Sequence, residues 1–396
     1  MIKVAVYGQG YVGLPLAIAA SRAGFDVVGI ESSKSKVEMI SGFNSPTEDL
    51  FSEEIKSAFE SQNYRILSEI PVDFQPDIFC ICVPTPLNDE NNPDLSALEN
   101  VVKQIGKKIA QRSLVIVEST IQPGTTRNLV QPMLEKTSGL SRQDFFVAFS
   151  PERIDPMNET WNLFNTPKLV AGLNEESANM AKSFYSKFIS DVHIFSSVEV
   201  VESAKLLENS FRLVNISFIN EFAVVCNKIG IDINEVISAA TTKPYGFMPF
   251  YPSLGAGGHC IPVDPIYFAA AARRFGIETE LIYLASKINL DMPKYFVRRA
   301  EEKLNGLQGK KILVVGISYK PNVADVRESP AIGLITGLLQ KGAQVDWHDD
   351  LVKVWKGEKS VALSENYDLA IIATLHDYLD LTGLGNVEII NTRTSL

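Results

Sequence analysis

The sequence predicts an α/β protein of two doubly wound domains joined by a long central helix and a helical middle domain. Three observations lead there. A strand, a turn with the spacing G-x-G-x-x-G and a helix open the chain at residues 2–20; a second strand-led unit opens at Gly309; and residues 197–229 between them keep one uninterrupted helical pattern. At 396 residues the chain exceeds the roughly 250–300 at which a single core stops growing. Domains are expected at 1–195, 196–300 and 301–396.

Composition narrows the partners. A hydrophobic fraction of 45% with 21% charged residues is that of an ordinary globular protein. A net charge of −10 argues against a nucleic-acid or anionic-membrane surface, and no apolar run reaches the roughly 18–20 residues of a membrane span. The first residues run directly into a strand pattern, so no signal peptide is expected. Cys80, Cys82, Cys226 and Cys260 are too scattered for a disulfide framework or a zinc site. A reduced, cytoplasmic protein without metal is expected.

In chain order, the strand at 2–7 ends at Gly8-Gln9-Gly10-Tyr11-Val12-Gly13 and a helix follows. This order lays a pyrophosphate on a helix N-terminus, where unpaired N–H groups and the helix dipole attract it. The first domain is therefore Rossmann-like. A second strand ends in Glu31, whose carboxylate accepts from both ribose hydroxyls and repels a 2′-phosphate, favouring NAD over NADP. Residues 61–76 carry no clear pattern. Strands at 78–83 and 114–118 end in Pro84-Thr85-Pro86 and Ser119-Thr120, at the sheet edge that lines a ligand crevice in such folds. Thr85, Ser119 and Thr120 are crevice candidates or simple turn formers. Cys80 and Cys82 alternate as core residues of one strand face.

A strand at 145–149 leads to Ser150-Pro151-Glu152-Arg153, placing Glu152 as a general base or as a loop carboxylate paired with Arg153. The stretch 168–172 reads as the last strand of the first domain, with 192–195 an optional addition on which His193 reads as structural. The long helix is apolar almost all round and so serves as a spine between domains or subunits. Lys205 and Asn209 share one of its faces, turned inward or toward solvent. Gly230 ends it, and Asp232 caps the next helix. Then comes Gly255-Ala256-Gly257-Gly258-His259-Cys260, a glycine run that brings backbone close to a ligand and presents one thiol, with Asp264 four residues on. The same stretch also fits a plain loop with a packed cysteine. Helices at 267–274 and 280–304 precede the second Rossmann-like unit. Its first loop lacks G-x-G-x-x-G but carries Lys320 and Arg327, suited to a phosphorylated ligand.

These motifs, with Glu118-Ser119-Thr120 and the run Tyr319-Lys320 through Arg327-Glu328-Ser329-Pro330, together resemble the UDP-glucose/GDP-mannose dehydrogenase family over almost the whole chain. Lys243-Pro244-Tyr245-Gly246-Phe247-Met248-Pro249-Phe250-Tyr251-Pro252 is similar to the branch oxidising UDP-N-acetylglucosamine at C6. Two departures weigh against UDP-glucose: Pro156 stands where that branch has a second glutamate, and the arginine that reaches a neighbouring subunit is missing, with Lys243 in its region. The resemblance implies an NAD-binding domain, a central dimerisation domain with a catalytic cysteine loop, and a C-terminal UDP-sugar domain. It implies a homodimer and a four-electron oxidation of a UDP-sugar to the uronic acid through a Cys260 thiohemiacetal and thioester, for surface polysaccharide synthesis.

In that scheme Glu152 is the base for hydrolysis, Thr120 and Asp264 order the water, and Lys205 with Asn209 stabilises the oxyanion while Lys205 lowers the thiol pKa. Cofactor contacts fall to Gly8, Gly10, Tyr11, Val12, Gly13, Glu31, Thr85 and Thr120. Substrate contacts fall to Glu152, Arg153, Lys205, Asn209, Tyr251, Gly257, Lys320 and Arg327. Other readings are the UDP-glucose, UDP-N-acetylgalactosamine or UDP-N-acetylmannosamine 6-dehydrogenases, a non-catalytic NAD and nucleotide-sugar sensor, and a two-electron hydroxy-acid dehydrogenase.

Overall fold

A computed structural model describes residues 1–47, 52–155, 157–158 and 160–393; Pro156, the departure noted above, lies outside them. The chain divides into two compact units, Met1–Leu207 with Ile266–Phe275, and Glu208–Pro265 with Gly276–Leu396.

The first unit is built on eight strands, β1 (Lys3–Tyr7), β2 (Asp26–Ile30), β3 (Tyr64–Leu67), β4 (Ile78–Ile81), β5 (Leu114–Val117), β6 (Phe146–Phe149), β7 (Lys168–Gly172) and β8 (Val192–Ile194). They lie in the order β3-β2-β1-β4-β5-β6-β7-β8. β1, β4, β5 and β6 read as continuous apolar runs because both faces are covered, by one cluster around Leu14, Ile116 and Tyr185 and another around Phe79, Val115 and Phe149. The order reverses between β1 and β4, so the loops after these strands share the switch-point edge where ligands bind in such sheets. β3 lies in the stretch that carried no clear sequence pattern.

The sheet is not wholly parallel. β7 runs antiparallel to β6, with Phe149 opposite Ala171. Its first residue, Lys168, therefore sits at the edge where the parallel strands end. His193, read as a structural histidine on an apolar strand, is exposed on the edge strand β8 and pairs with Asp191 at 2.9 Å.

In the second unit β9 (Lys311–Val315), β10 (Gln344–His348), a short hairpin β11 (Val354–Trp355) and β12 (Glu358–Lys359), β13 (Leu369–Ile372) and β14 (Ile389–Asn391) follow in turn. The sheet order is β10-β9-β13-β14, all parallel. The helix Glu280–Leu304 packs its Met292, Phe296 and Ala300 into the core on one face of this sheet. The long helix spans Val198–Ile229 and stops at Gly230, whose φ of +78° suits glycine. Asp232 caps the following helix, Ile233–Thr241, by accepting from the Asn234 N–H.

Candidate active site

The glycine loop after β1 shows why each glycine is there. A Cβ on Gly8, at φ +87°, would stand 2.6 Å from the Cys82 carbonyl oxygen, and one on Gly13 would collide with the Gly8 carbonyl. Both are closed by the chain itself. At Gly10 no atom lies within 4 Å of that position, so the loop's open side is there. The helix Gly13–Arg22 has no side-chain cap at Val12, leaving its first turn suited to an anion. Glu31, just beyond β2, accepts from the Gln9 N–H at 3.0 Å and the Ser33 N–H at 2.9 Å. Gln9 lies fully buried beneath the loop and receives the Tyr64 hydroxyl at 2.9 Å. An open glycine, an uncapped helix start and an aimed carboxylate fit a dinucleotide.

At the neighbouring strand ends, Thr85 donates its hydroxyl proton to the Thr120 carbonyl at 2.8 Å, so the loops after β4 and β5 are tied together. Ser119 donates to Val83 O at 2.7 Å and acts as a turn former. Tyr267 donates to the Thr85 carbonyl at 3.0 Å. Beyond Thr120, the buried Glu202 of the long helix accepts from Gly124 and Thr126 N–H groups at 2.5 and 3.0 Å, fixing the loop's far end.

Glu152 is not an exposed loop carboxylate. Its Oε1 accepts from the backbone N–H groups of Arg153 and Ile154 at 2.6 and 2.9 Å, and its Oε2 receives Lys168 Nζ at 2.9 Å. Arg153 donates instead to the Pro167 carbonyl at 2.9 Å. Lys168 also meets Glu118 Oε2 at 2.8 Å, and Tyr185 donates to Glu118 Oε1 at 2.5 Å. Burial pushes the Glu152 carboxyl up, but Lys168, the Arg153 N–H and the Lys205 ammonium outweigh it and hold the group below its usual value. On Glu118 burial wins and its pKa is raised. Lys205, half-buried, donates to the Glu152 carbonyl oxygen at 2.7 Å and is thus turned inward.

The cysteine loop belongs to the second unit. Asn289 of the helix Glu280–Leu304 accepts from Ala256 N–H at 2.6 Å and donates to Ala256 O at 2.9 Å, gripping one residue by both backbone groups. Asn220 of the long helix accepts from Ser253 N–H at 2.8 Å. The structure adds a packing reason for these glycines. The close approach of Gly257 and Gly258 is to the protein itself: a Cβ on Gly257 would stand 2.6 Å from Glu328 O, and one on Gly258 2.7 Å from the Tyr319 ring. On its Cβ side Gly257 thus packs against residues 328–330 and Tyr319. Gly258 also donates its N–H to Arg327 O at 3.2 Å.

The thiol behind those glycines is exposed, and the Cys260 carbonyl accepts the Asp264 N–H at 2.8 Å. Asp264, buried at the start of the helix Asp264–Arg273, receives Asn209 Nδ2 at 2.5 Å. Burial, with the Arg327 guanidinium nearby, keeps the His259 pKa below its ordinary value. Tyr251 is exposed. Arg327 is chelated by Asp325, its Nε at 2.9–3.0 Å from both carboxylate oxygens. Two cavities open beside the sheet, one lined by Ser253, Tyr319, Pro330, Thr374 and Arg393, the other, of about 330 Å³, by His376, Asn391, Thr392 and Arg393. Lys320 and Arg327 line neither, and Arg393, common to both, was missed in the sequence because it follows the last strand without a motif.

Three family models cover the chain: the NAD binding domain of the UDP-glucose/GDP-mannose dehydrogenase family matches residues 2–189, its central domain 199–291, and its UDP binding domain 313–389. The chain belongs to this family. It is an NAD-dependent UDP-sugar dehydrogenase. UDP-N-acetyl-D-glucosamine 6-dehydrogenase of Pseudomonas aeruginosa is 34% identical over 98% of this chain and 93% of its own. UDP-N-acetyl-D-mannosamine dehydrogenase of Pyrococcus horikoshii is 33% identical over 95% of this chain and 90% of its own. A solved structure of UDP-D-ManNAc dehydrogenase from Pyrococcus horikoshii superposes with a TM-score of 0.91 at 31% identity, covering 100% of this chain and 96% of that one. The family's NAD domain contains the open glycine loop and Glu31, its central domain the long helix and Cys260, and its UDP domain Lys320 and Arg327. No helix among the described residues is long and apolar enough to cross a membrane.

Proposed function

We propose that this dehydrogenase oxidises the C6 alcohol of UDP-N-acetylglucosamine to UDP-N-acetylglucosaminuronate in two steps, with Cys260 holding the intermediate. The observation that carries the reading is the exposed Cys260 thiol on a loop gripped by Asn289 and followed by Asp264, whose carboxylate receives Asn209. The choice of sugar is supported by the 243–252 stretch and by the Pseudomonas relative.

NAD, when bound, accepts a hydride at each oxidation. The alcohol first becomes an aldehyde, and the Cys260 thiolate adds to it, forming a carbon–sulfur bond. Loss of the second hydride turns that thiohemiacetal into a thioester, which water cleaves to the acid, returning the thiol. Lys205 and Asn209 face the developing oxyanion, where one well-placed donor is worth about 2.7–4 kcal/mol. Glu152 takes the proton of the water that Thr120 and Asp264 orient. Gly8, Gly10, Tyr11, Val12, Gly13, Glu31 and Thr85 hold the cofactor. Tyr251, Arg153, Lys320, Arg327 and Arg393 serve the nucleotide sugar. A second copy covers the exposed Phe211, Phe218, Phe222 and Val225 of the long helix, giving a homodimer. The enzyme works in the cytoplasm and supplies uronic-acid donors for polysaccharide synthesis.

Incubation with NAD and a panel of UDP-N-acetylglucosamine, UDP-N-acetylgalactosamine, UDP-N-acetylmannosamine and UDP-glucose tests this. Two NADH per UDP-N-acetylglucosamine, with that sugar the preferred one, is the expected result. Preference for another sugar overturns the substrate; one NADH per sugar overturns the four-electron chemistry; no turnover leaves the sensor.

A further inference from the structure

Lys168 has no part in the scheme above, yet its side chain is only 4% exposed and it sits between two glutamates. Three neighbouring strands bring the groups together. Glu118 follows β5, Glu152 lies just past β6, and Lys168 opens β7. Because β7 is antiparallel to β6, its first residue faces the functional edge of the sheet and not the opposite one. A buried ammonium is costly unless paired, and here two carboxylates at 2.8 and 2.9 Å pair it while the Tyr185 ring lies 5.1 Å away.

The consequence reaches the reacting groups through the backbone. Lys168 fixes one oxygen of Glu152, the N–H groups of Arg153 and Ile154 fix the other, and residues 152–154 are thereby locked. The carbonyl of that same Glu152 receives Lys205 at 2.7 Å. We propose that Lys168 is a positioning residue of the oxidation: by clamping Glu152 it keeps that carboxylate ionised and aims its carbonyl at the ammonium of Lys205. The inference rests on the proposed roles of Glu152 and Lys205.

Charge supports the geometry. The groups facing the pair are Glu118 from β5, Tyr185 from the helix Glu175–Tyr185, Cys80 and Cys82 on and after β4, Lys205 from the long helix, and Arg153 beside Glu152. Among these the two carboxylates are driven apart, Glu118 up by burial and Glu152 down by Lys168, with the Arg153 N–H and the Lys205 charge, against burial. A proton entering the cluster thus goes to Glu118 first, leaving Glu152 charged.

The test compares the whole enzyme with Lys168→Met and with Lys168→Met/Glu118→Gln, which also removes the opposing carboxylate and so covers failure of the single variant to fold. Removing the lysine raises the Glu152 pKa, so the acid limb of the kcat profile moves to higher pH, by about 1–3 units for loss of an adjacent opposite charge. Cofactor affinity, read by NADH titration, stays within about twofold, a free-energy difference below the tenfold step of 1.4 kcal/mol. A second readout needs no turnover: the protonated-carboxyl infrared band of Glu152, assigned by difference against the same protein with Glu152→Gln, appears at higher pH without Lys168. An unmoved acid limb with kcat reduced by one factor at every pH, or an unmoved infrared band, overturns the proposal. Wild-type protein that turns over no UDP-sugar overturns the proposed function instead, and the infrared arm still decides Lys168.

Discussion

A methyl group on Gly257 would stand 2.6 Å from the Glu328 carbonyl and 2.8 Å from the Pro330 ring, contacts that no small rearrangement of a flexible side chain relieves. Gly257→Ala is therefore expected to cost about 1–3 kcal/mol, the usual range for overpacking, seen as a lower midpoint in denaturant. An unchanged midpoint would mean that the loop does not pack against 328–330 as described. The sequence marked this run as a place of close approach but not what approaches. A glycine pattern reports missing side chains, whereas the neighbour comes from a loop some 70 residues later. Lys205 and Asn209 were legible as a pair because helical spacing puts them one turn apart. Lys168 was not, since a lysine at a strand's start is by default solvated and only the direction of β7 buries it.

Among the elements, the long helix shows what periodicity conveys and what it omits. Its length, its stop at Gly230 and the Asp232 cap after it follow from local chemistry and were readable. Apolar residues almost all round it implied a spine between domains or subunits, and Phe211, Phe218, Phe222, Val225 and Ile229 are exposed in the single chain. With a second copy as the proposed cover, Phe218→Glu/Phe222→Glu should convert a dimer to monomers in sedimentation velocity, because charge in a desolvated apolar contact is costly. A variant that sediments as the wild type would remove that face from the interface. β3 was missed for the opposite reason: four residues, alternately buried and half-buried, are too short a run to separate from a loop. The sense of β7 was missed because direction is set by the connection between strands, not by the strand.

For the whole molecule the fold class was legible, since buried parallel strands read as apolar runs and two strand-led units flank one helix. The order of motifs along the chain then carried the family, which three domain models match in the same order. The account depends on one atom, the exposed sulfur of Cys260. Rapid-quench turnover of Cys260→Ser with NAD and UDP-N-acetylglucosamine tests it most directly, counting NADH and acid per active site. The account predicts that the first oxidation survives and that release of the uronic acid fails. Acid released at the wild-type rate, with two NADH per sugar, would contradict it.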